Sequence, residues 1–261
     1  MNKIKLFYRE FSPEKPQTMI ILHGLFGMSD NWVSIAKHFS NRFHVIIPDL
    51  RNHGNSPHTD EFGYPEMSED ILNIMEEKKI HSATIIGHSM GGKLAMNLAC
   101  FFPQIIDKLI VVDINLSESE SREIHSVIFE IIANTDLKKF KTFSEIQRYL
   151  ENKIDQSRIV LFVMKNIKRH ENEGFIWKLN YLALFNNLHK IMEELKPMHN
   201  FIKPALFIKG GESDYISNAD FIEIKKYFPL ASLETIAGAS HWVHADKPKE
   251  FQNVIDKFLE E

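Results

Sequence analysis

Ser89, His241 and an aspartate can together break an acyl bond, and each stands where that chemistry would need it. Ser89 lies in Gly87-His88-Ser89-Met90-Gly91, just after the apolar run Ala83-Thr84-Ile85-Ile86. A helical stretch from Lys93 to Phe102 follows, with Leu94, Ala95, Leu98 and Ala99 on one face. A serine in a strand-to-helix turn is lifted above the sheet edge, and small residues two before and two after it let the chain bend tightly. Gly92 extends the close helix approach. An ordinary glycine-rich turn shares the five-residue pattern, so the serine gains meaning only from its company.

That company is a base, an acid to orient it, and donors for an oxyanion. His241, in Ala237-Gly238-Ala239-Ser240-His241-Trp242, follows the last apolar run in a small-residue loop. Of the thirteen histidines it best fits the chain order serine, acid, histidine. His244 reads as solvent-facing or structural, and no third ligand at a recognisable spacing makes a zinc site of the pair. Two aspartates compete for the acid: Asp113, ending Ile110-Val111-Val112, and Asp214, in Gly210-Gly211-Glu212-Ser213-Asp214, with Glu212 a weaker third. Both runs open onto the same sheet edge, so the residues alone do not separate them. The oxyanion donors expected are the backbone N–H of Met90 and that of Leu25, in His23-Gly24-Leu25-Phe26-Gly27. In Asp49-Leu50-Arg51-Asn52-His53-Gly54-Asn55-Ser56, Arg51 and His53 read as a hydrogen-bonded brace rather than as substrate contacts. Phe26, Phe162, Trp177, Tyr215 and Trp242 are candidates to line an apolar substrate pocket.

The elements that must position these groups alternate. Lys3 to Tyr8, Thr18 to Leu22, His44 to Ile47, Thr84 to Ile86 and Lys108 to Val112 read as strands. Asn31 to Phe39 and Met67 to Met75 read as helices, the second with Ser68 as its N-cap. This predicts an α/β protein with a mostly parallel central sheet flanked by helices. From Leu116 to Phe201 the pattern is helical with no convincing buried strand. Ile124, Val127, Ile128, Ile131 and Ile132 form one stripe, and Ile159 to Ile167 a denser one. Ala205 to Ile208 and Ser232 to Ile236 return to the sheet, and a helix through Phe251, Ile255 and Phe258 closes the chain. The expected organisation is a core of 1–115 and 202–261 with a helical cap, 116–201, inserted over the sheet's C-terminal edge, where ligands of open α/β sheets bind.

Composition narrows the partners. The 261 residues are 44% hydrophobic and 25% charged, with a formal charge of −4 and no dense basic block, which gives nucleic-acid binding little support. The single cysteine, Cys100, lies on the apolar helix after Ser89 and reads as a core residue in a reducing compartment. Neither a signal-peptide pattern nor a membrane-spanning run is evident, so the expectation is a soluble cytoplasmic protein, a monomer by default with a dimer as the alternative, and no metal.

With these parts in place the chain resembles the α/β-hydrolase family from about Lys3 to Leu259. The segments HGLFG, DLRNHGNS, GHSMGGK and AGASHWVHADKP carry the resemblance. They are most similar to a branch of small bacterial esterases and their mitochondrial relatives. The resemblance implies a cofactor-free serine hydrolase with Ser89 as nucleophile, His241 as base and an oxyanion hole of Leu25 and Met90. Members of this branch often have a Gly-Gly-x-Ser loop without an aspartate, which favours Asp113 as the acid; this chain departs from them in also having Asp214. The reaction so implied is hydrolysis of a carboxylic ester or thioester of short to medium acyl chain, through an acyl-enzyme on Ser89. A C–C bond hydrolase or lyase on the same scaffold is the alternative that cap arginines facing Ser89 would favour. Arg122, Arg148, Arg158 and Arg169 all sit among polar residues instead. A catalytically weak ligand-binding or sensing relative is the third reading.

Overall fold

The computed structural model describes residues 4–118 and 123–260, with the side chains of 123 and 124 left aside. Strands β1 (Tyr8–Phe11), β2 (Thr18–Leu22), β3 (His44–Pro48), β4 (Ala83–His88) and β5 (Ile106–Val112) precede the inserted segment. That segment contains a hairpin of β6 (Ile167–His170) and β7 (Gly174–Trp177); β8 (Ala205–Gly210) and β9 (Ala231–Ile236) follow it. One seven-stranded sheet runs β1-β3-β2-β4-β5-β8-β9, parallel throughout except where β1 pairs antiparallel with β3.

The central strands are apolar on both faces because helices cover both. Alternate residues of each strand point to opposite sides. Ile20, Leu22, Ile46, Ile85 and Val111 pack with α2 (Tyr64–Lys78) and α3 (Met90–Phe101). Met19, Ile21, Val45, Ile47, Ile86, Ile110 and Val112 pack with α1 (Val33–Phe39) and the C-terminal helix (Pro248–Glu260). The Cys100 thiol sits inside the first of these cores, and burial pushes its pKa up to about 12.

Three elements differ from the sequence reading. The first strand is Tyr8–Phe11, not Lys3 to Tyr8, because the antiparallel register with β3 runs from Tyr8↔Pro48 to Phe11↔Val45; Lys3 itself lies outside the described residues. Helix α2 starts at Tyr64 after Gly63, with Pro65 in its first turn, where a missing N–H costs nothing. Ser68 is therefore not the N-cap: it lies inside the helix, buried, and accepts from Asn97 Nδ2 at 3.0 Å. The inserted segment is also not wholly helical. Its helices are α4 (Glu123–Asn134), α5 (Phe143–Glu151), α6 (Ser157–Met164), α7 (Tyr181–Asn186) and α8 (Leu188–Met192), but the Ile159 to Ile167 stripe splits between α6 and β6. Strands of four residues, with only Ile167 and Phe175 buried, are too short for an alternation to show. Of the Ile124 to Ile132 stripe, Ile128, Ile131 and Ile132 are buried; the Ile124 side chain lies outside the described residues.

Both ends of this segment are tied to the core. Leu195 N–H donates to Leu116 O at 2.8 Å, which joins the two ends of the segment to each other, and Tyr64 Oη of the core donates to Ile191 O at 2.8 Å. Lys93 Nζ, buried on α3, donates to Ser117 O at 2.8 Å and to Glu193 O at 2.7 Å. Burial lowers the Lys93 pKa to about 8.

Candidate active site

Ser89 joins β4 to α3 with φ 52° and ψ −118°, a conformation that L-residues avoid and that costs of order 1–3 kcal/mol. Its glycine neighbours make the turn possible. A Cβ on Gly87 would strike the Gly91 carbonyl, and one on Gly91 would strike the Leu22 carbonyl of the adjacent strand. The turn is pinned by Ser89 N–H donating to Val112 O and Lys93 N–H donating to Ser89 O, both at 3.0 Å.

The next residue after Val112 is Asp113, fully buried and also at positive φ, 53°. Its Oδ2 accepts from His241 Nδ1 at 2.8 Å and from the Ser213 hydroxyl, and its Oδ1 accepts from Gly210 N–H at 3.0 Å. Asp214 and Glu212 are exposed. The carboxylate on His241 is thus that of Asp113. The imidazole stacks on Tyr215, with ring centroids 3.9 Å apart, and its backbone carbonyl accepts from His88 Nε2 at 2.8 Å. His244 is buried rather than solvent-facing, and it stacks on Trp32 at 3.9 Å. Burial, with His241 adding to it, holds the His244 pKa at about 3, and burial keeps His88 well below the usual histidine value. The two histidines behind His241 are therefore neutral.

The Leu25 loop rests on two further buried histidines. His23 donates through Nδ1 to Gly24 O at 2.8 Å and accepts Leu50 N–H on Nε2 at 2.9 Å. His53 donates through Nδ1 to Arg51 O at 2.9 Å and accepts Phe26 N–H on Nε2 at 3.2 Å. Desolvation lowers their pKa values to about 4 and about 3. Asp49 accepts Ser29 N–H at 2.6 Å and Asn55 N–H at 2.8 Å. Arg51 is engaged by Asp70 at 2.7 and 2.9 Å and by the carbonyls of Glu61 and Glu66. Arg51 and His53 are accordingly braces, as their setting in the sequence suggested.

Ser89 opens into a narrow cleft. Leu25, Met90 and Ile114 of the core line it, together with His125, Ile191 and Met192 of the inserted segment; Tyr64, Lys93 and Tyr215 complete the wall. Of the five residues expected in the pocket only Tyr215 is there. Phe26 is buried edge-on to Phe129 at 4.9 Å, and Phe162 faces Trp242 at 6.0 Å; neither they nor Trp177 belong to the lining. The Arg158 guanidinium lies 4.8 Å over the Trp242 ring and pairs with Asp246, which in turn accepts from Ser240 N–H and Oγ. Arg148 bonds to its own helix at Ser144 O, Arg169 lies over Phe175, and Arg122 is outside the described residues. Lys93, Tyr64, Ile191 and Met192 were not legible as site residues, since they meet only when the inserted segment docks. Among the described residues no group of three or more His, Cys, Asp or Glu is placed to hold a metal ion, and no helix is long and apolar enough to cross a membrane.

Residues 17–248 match the family model described as alpha/beta hydrolase fold. The chain is 34% identical to Esterase YbfF of Escherichia coli over 242 residues, covering 92% of each chain. It is 35% identical to the sn-1-specific diacylglycerol lipase ABHD11 of Danio rerio over 272 residues, covering 99% of this chain and 84% of that one. Among solved structures, a marine microorganism esterase superposes with a TM-score of 0.94 at 39% identity, covering 98% of this chain and 99% of that one.

Proposed function

The chain belongs to the α/β-hydrolase fold family, and on that premise we propose that it is a serine hydrolase cleaving carboxylic esters or thioesters of short to medium acyl chain. The observation that carries this reading is the 2.8 Å hydrogen bond from His241 to the buried Asp113 beside the Ser89 turn. In this reading Ser89 Oγ attacks the acyl carbonyl while His241 Nε2 takes its proton. Asp113 stays ionised, keeps the proton on Nδ1 and stabilises the imidazolium. The tetrahedral oxyanion is received by the N–H groups of Leu25 and Met90. Collapse of this intermediate returns the Nε2 proton to the departing alcohol or thiol and leaves the acyl group on Ser89. A water deprotonated by Nε2 then attacks the acyl-enzyme, and the second collapse frees the acid and restores Ser89.

The size and polarity of the cleft support the substrate class. The cleft is narrow and its wall is largely apolar, built by Leu25, Met90, Ile114, Ile191 and Met192, which suits a short or medium acyl group better than a long one. No cap arginine among the described residues lines it, and the Lys93 ammonium is already engaged by carbonyls, so among the described residues a strongly anionic substrate of a lyase or C–C hydrolase meets no free cation. The names of the Escherichia coli and Danio rerio relatives, an esterase and a diacylglycerol lipase, both describe ester cleavage. A reducing, cytoplasmic setting suits the single buried Cys100.

The test is hydrolysis of p-nitrophenyl esters from acetate to palmitate, with a butyryl thioester alongside, for the wild type and Ser89→Ala. The expected result is a rate that peaks at short or medium chains and falls by roughly three or more orders of magnitude in the variant. Equal, negligible rates for both proteins on every substrate would refute the reading.

A further inference from the structure

The inserted segment reaches the Leu25 loop at one backbone group, and packing does not explain why an amide makes that contact. Asn166, between α6 and β6, is 1% exposed. It donates through Nδ2 to Phe26 O at 2.9 Å and to Phe162 O at 3.3 Å. Its Oδ1 has no hydrogen-bond partner among the described residues. An unmatched buried acceptor is unfavourable, and an apolar side chain of similar size would avoid it, so the amide earns its place through its donor. Asn166 O also accepts Lys178 N–H at 2.7 Å, which ties its position to the hairpin of the inserted segment.

The recipient is unusual too. Phe26 has φ 61°, in the left-handed region that a bulky residue avoids unless its surroundings hold it there. Three contacts do so. His53 of the core accepts its N–H, Asn166 donates to its carbonyl, and its ring is flanked by Phe129 and His125 of α4 at 4.9 and 6.2 Å. Two of the three come from the inserted segment. Leu25 stands immediately before Phe26. On the other side of Leu25, Gly24 O is fixed within the core by Gly27 N–H at 2.9 Å and by His23 Nδ1 at 2.8 Å. The peptide plane that carries the Leu25 N–H runs from the Gly24 carbonyl, anchored in the core, to the Leu25 Cα, whose position follows that of Phe26 and so of its contacts from the inserted segment.

We propose that Asn166 is a positioning residue through which the seated cap holds Phe26 and so aims the Leu25 N–H, making the oxyanion site complete only when the cap is in place. This rests on the serine-hydrolase reading above. It gives the cap a part in the chemical step in addition to its part in enclosing substrate. A donor aimed at the oxyanion acts in the transition state, so its misalignment lowers kcat and leaves KM nearly unchanged.

The experiment compares wild type, Asn166→Leu and Asn166→Gln as full chains. It measures kcat and KM on a short p-nitrophenyl ester, together with Ki for a trifluoromethyl ketone of the same acyl length. That ketone adds to a serine hydroxyl and places an anionic oxygen in the hole. For Asn166→Leu we expect kcat to fall roughly tenfold or more, Ki to rise by a similar factor and KM to stay within about twofold. Asn166→Gln, which keeps a donor, should recover part of both. If Asn166→Leu does not fold, Phe129→Leu loosens the same anchor and should show a smaller loss with the same split. A raised KM or lowered melting temperature with kcat and Ki unchanged overturns the proposal, as does a kcat loss without a matching change in Ki. A wild type that neither turns over the ester nor binds the ketone overturns the serine-hydrolase reading itself, and this inference with it.

Discussion

Replacing Asp113 by asparagine separates the two candidate acids and can be worked through atom by atom. Three groups converge on the Asp113 carboxylate, the His241 Nδ1–H, the Gly210 N–H and the Ser213 hydroxyl, and all three can donate. A carboxylate accepts from all of them, whereas an amide has one accepting oxygen and an NH₂ that can only donate. Gly210 N–H belongs to a strand end and cannot turn away, so the amide oxygen stays there and the NH₂ faces His241 and Ser213. The serine hydroxyl can rotate and accept. The imidazole has no such freedom: to accept on Nδ1 it must move its proton to Nε2, the atom that has to receive the Ser89 proton. The wrong tautomer costs about 10⁴-fold in kcat, or about 5.4 kcal/mol at 1.36 kcal/mol per decade. Asp214 is exposed, so Asp214→Asn should stay within roughly twofold. The assay is kcat on a short p-nitrophenyl ester, with the active fraction counted by fluorophosphonate labelling. Asp113→Asn retaining more than about a tenth of wild-type kcat, or losing less than Asp214→Asn, would refute the reasoning.

Two predictions concern the buried polar scaffold. Arg51→Ala would leave Asp70 buried without its partner, and an uncompensated buried charge costs about 3–5 kcal/mol; urea unfolding should show that loss, and a change below about 1 kcal/mol would mean that the pair is not a brace. The second prediction is a loss of stability on mild acidification. His23, His53 and His244 have folded pKa values of about 4, 3 and 3, and His88 lies well below its ordinary value, all through burial. The unfolded chain binds these protons first as pH falls below about 6.5, so stability is complete above that pH and declines beneath it. The slope approaches about 1.4 kcal/mol per pH unit for each histidine until its folded pKa is passed. Urea midpoints at pH 7.5, 6.0 and 5.0 should decline in order, and equal midpoints would contradict neutral burial of these rings.

What could be read from the sequence follows from how local each constraint is. Gly87 and Gly91 flank Ser89 because backbone from the turn itself and from β2 leaves no room for a Cβ, and that demand is visible as a spacing. Which carboxylate meets His241 is open on the residues alone, where only the family resemblance favours Asp113, because strand ends do not say which residue stands level with which. Register decides it: β5 and β8 pair with Val112 opposite Ile208, so Asp113 sits beside Gly210 N–H, while Asp214 lies four residues past the end of β8 in an exposed turn. The cleft wall was illegible for a different reason. Lys93 meets the carbonyl of Glu193, and Tyr64 that of Ile191, across about a hundred residues of sequence or more, and nothing in a periodicity reports such a meeting. Aromatic type was a poor guide as well, since Phe26 and Phe162 pack among other rings instead of facing the cleft.

The polar residues of the inserted segment show where the division of labour lies. Asn166, Asn180 and Asn187 all lie in the inserted segment, and all three bond to the core loops that surround the site. Asn180 N–H donates to Asn52 O at 3.1 Å, and Asn187 Nδ2 donates to Asp60 O at 3.1 Å. Asn52, like Phe26, is held at positive φ, 66°. Two of the core residues in unfavourable backbone conformations are thus contacted from the cap, whereas Ser89 and Asp113, the other two at the site, are held by β4, β5 and β8. On the reading proposed above, the nucleophile and its acid are held by contacts of the sheet, whereas the Leu25 loop and the cleft also take contacts from the inserted segment. If that reading holds, a change in the sequence of the inserted segment would alter both the acyl group accepted and the strength of oxyanion binding more than it alters the contacts among Ser89, His241 and Asp113.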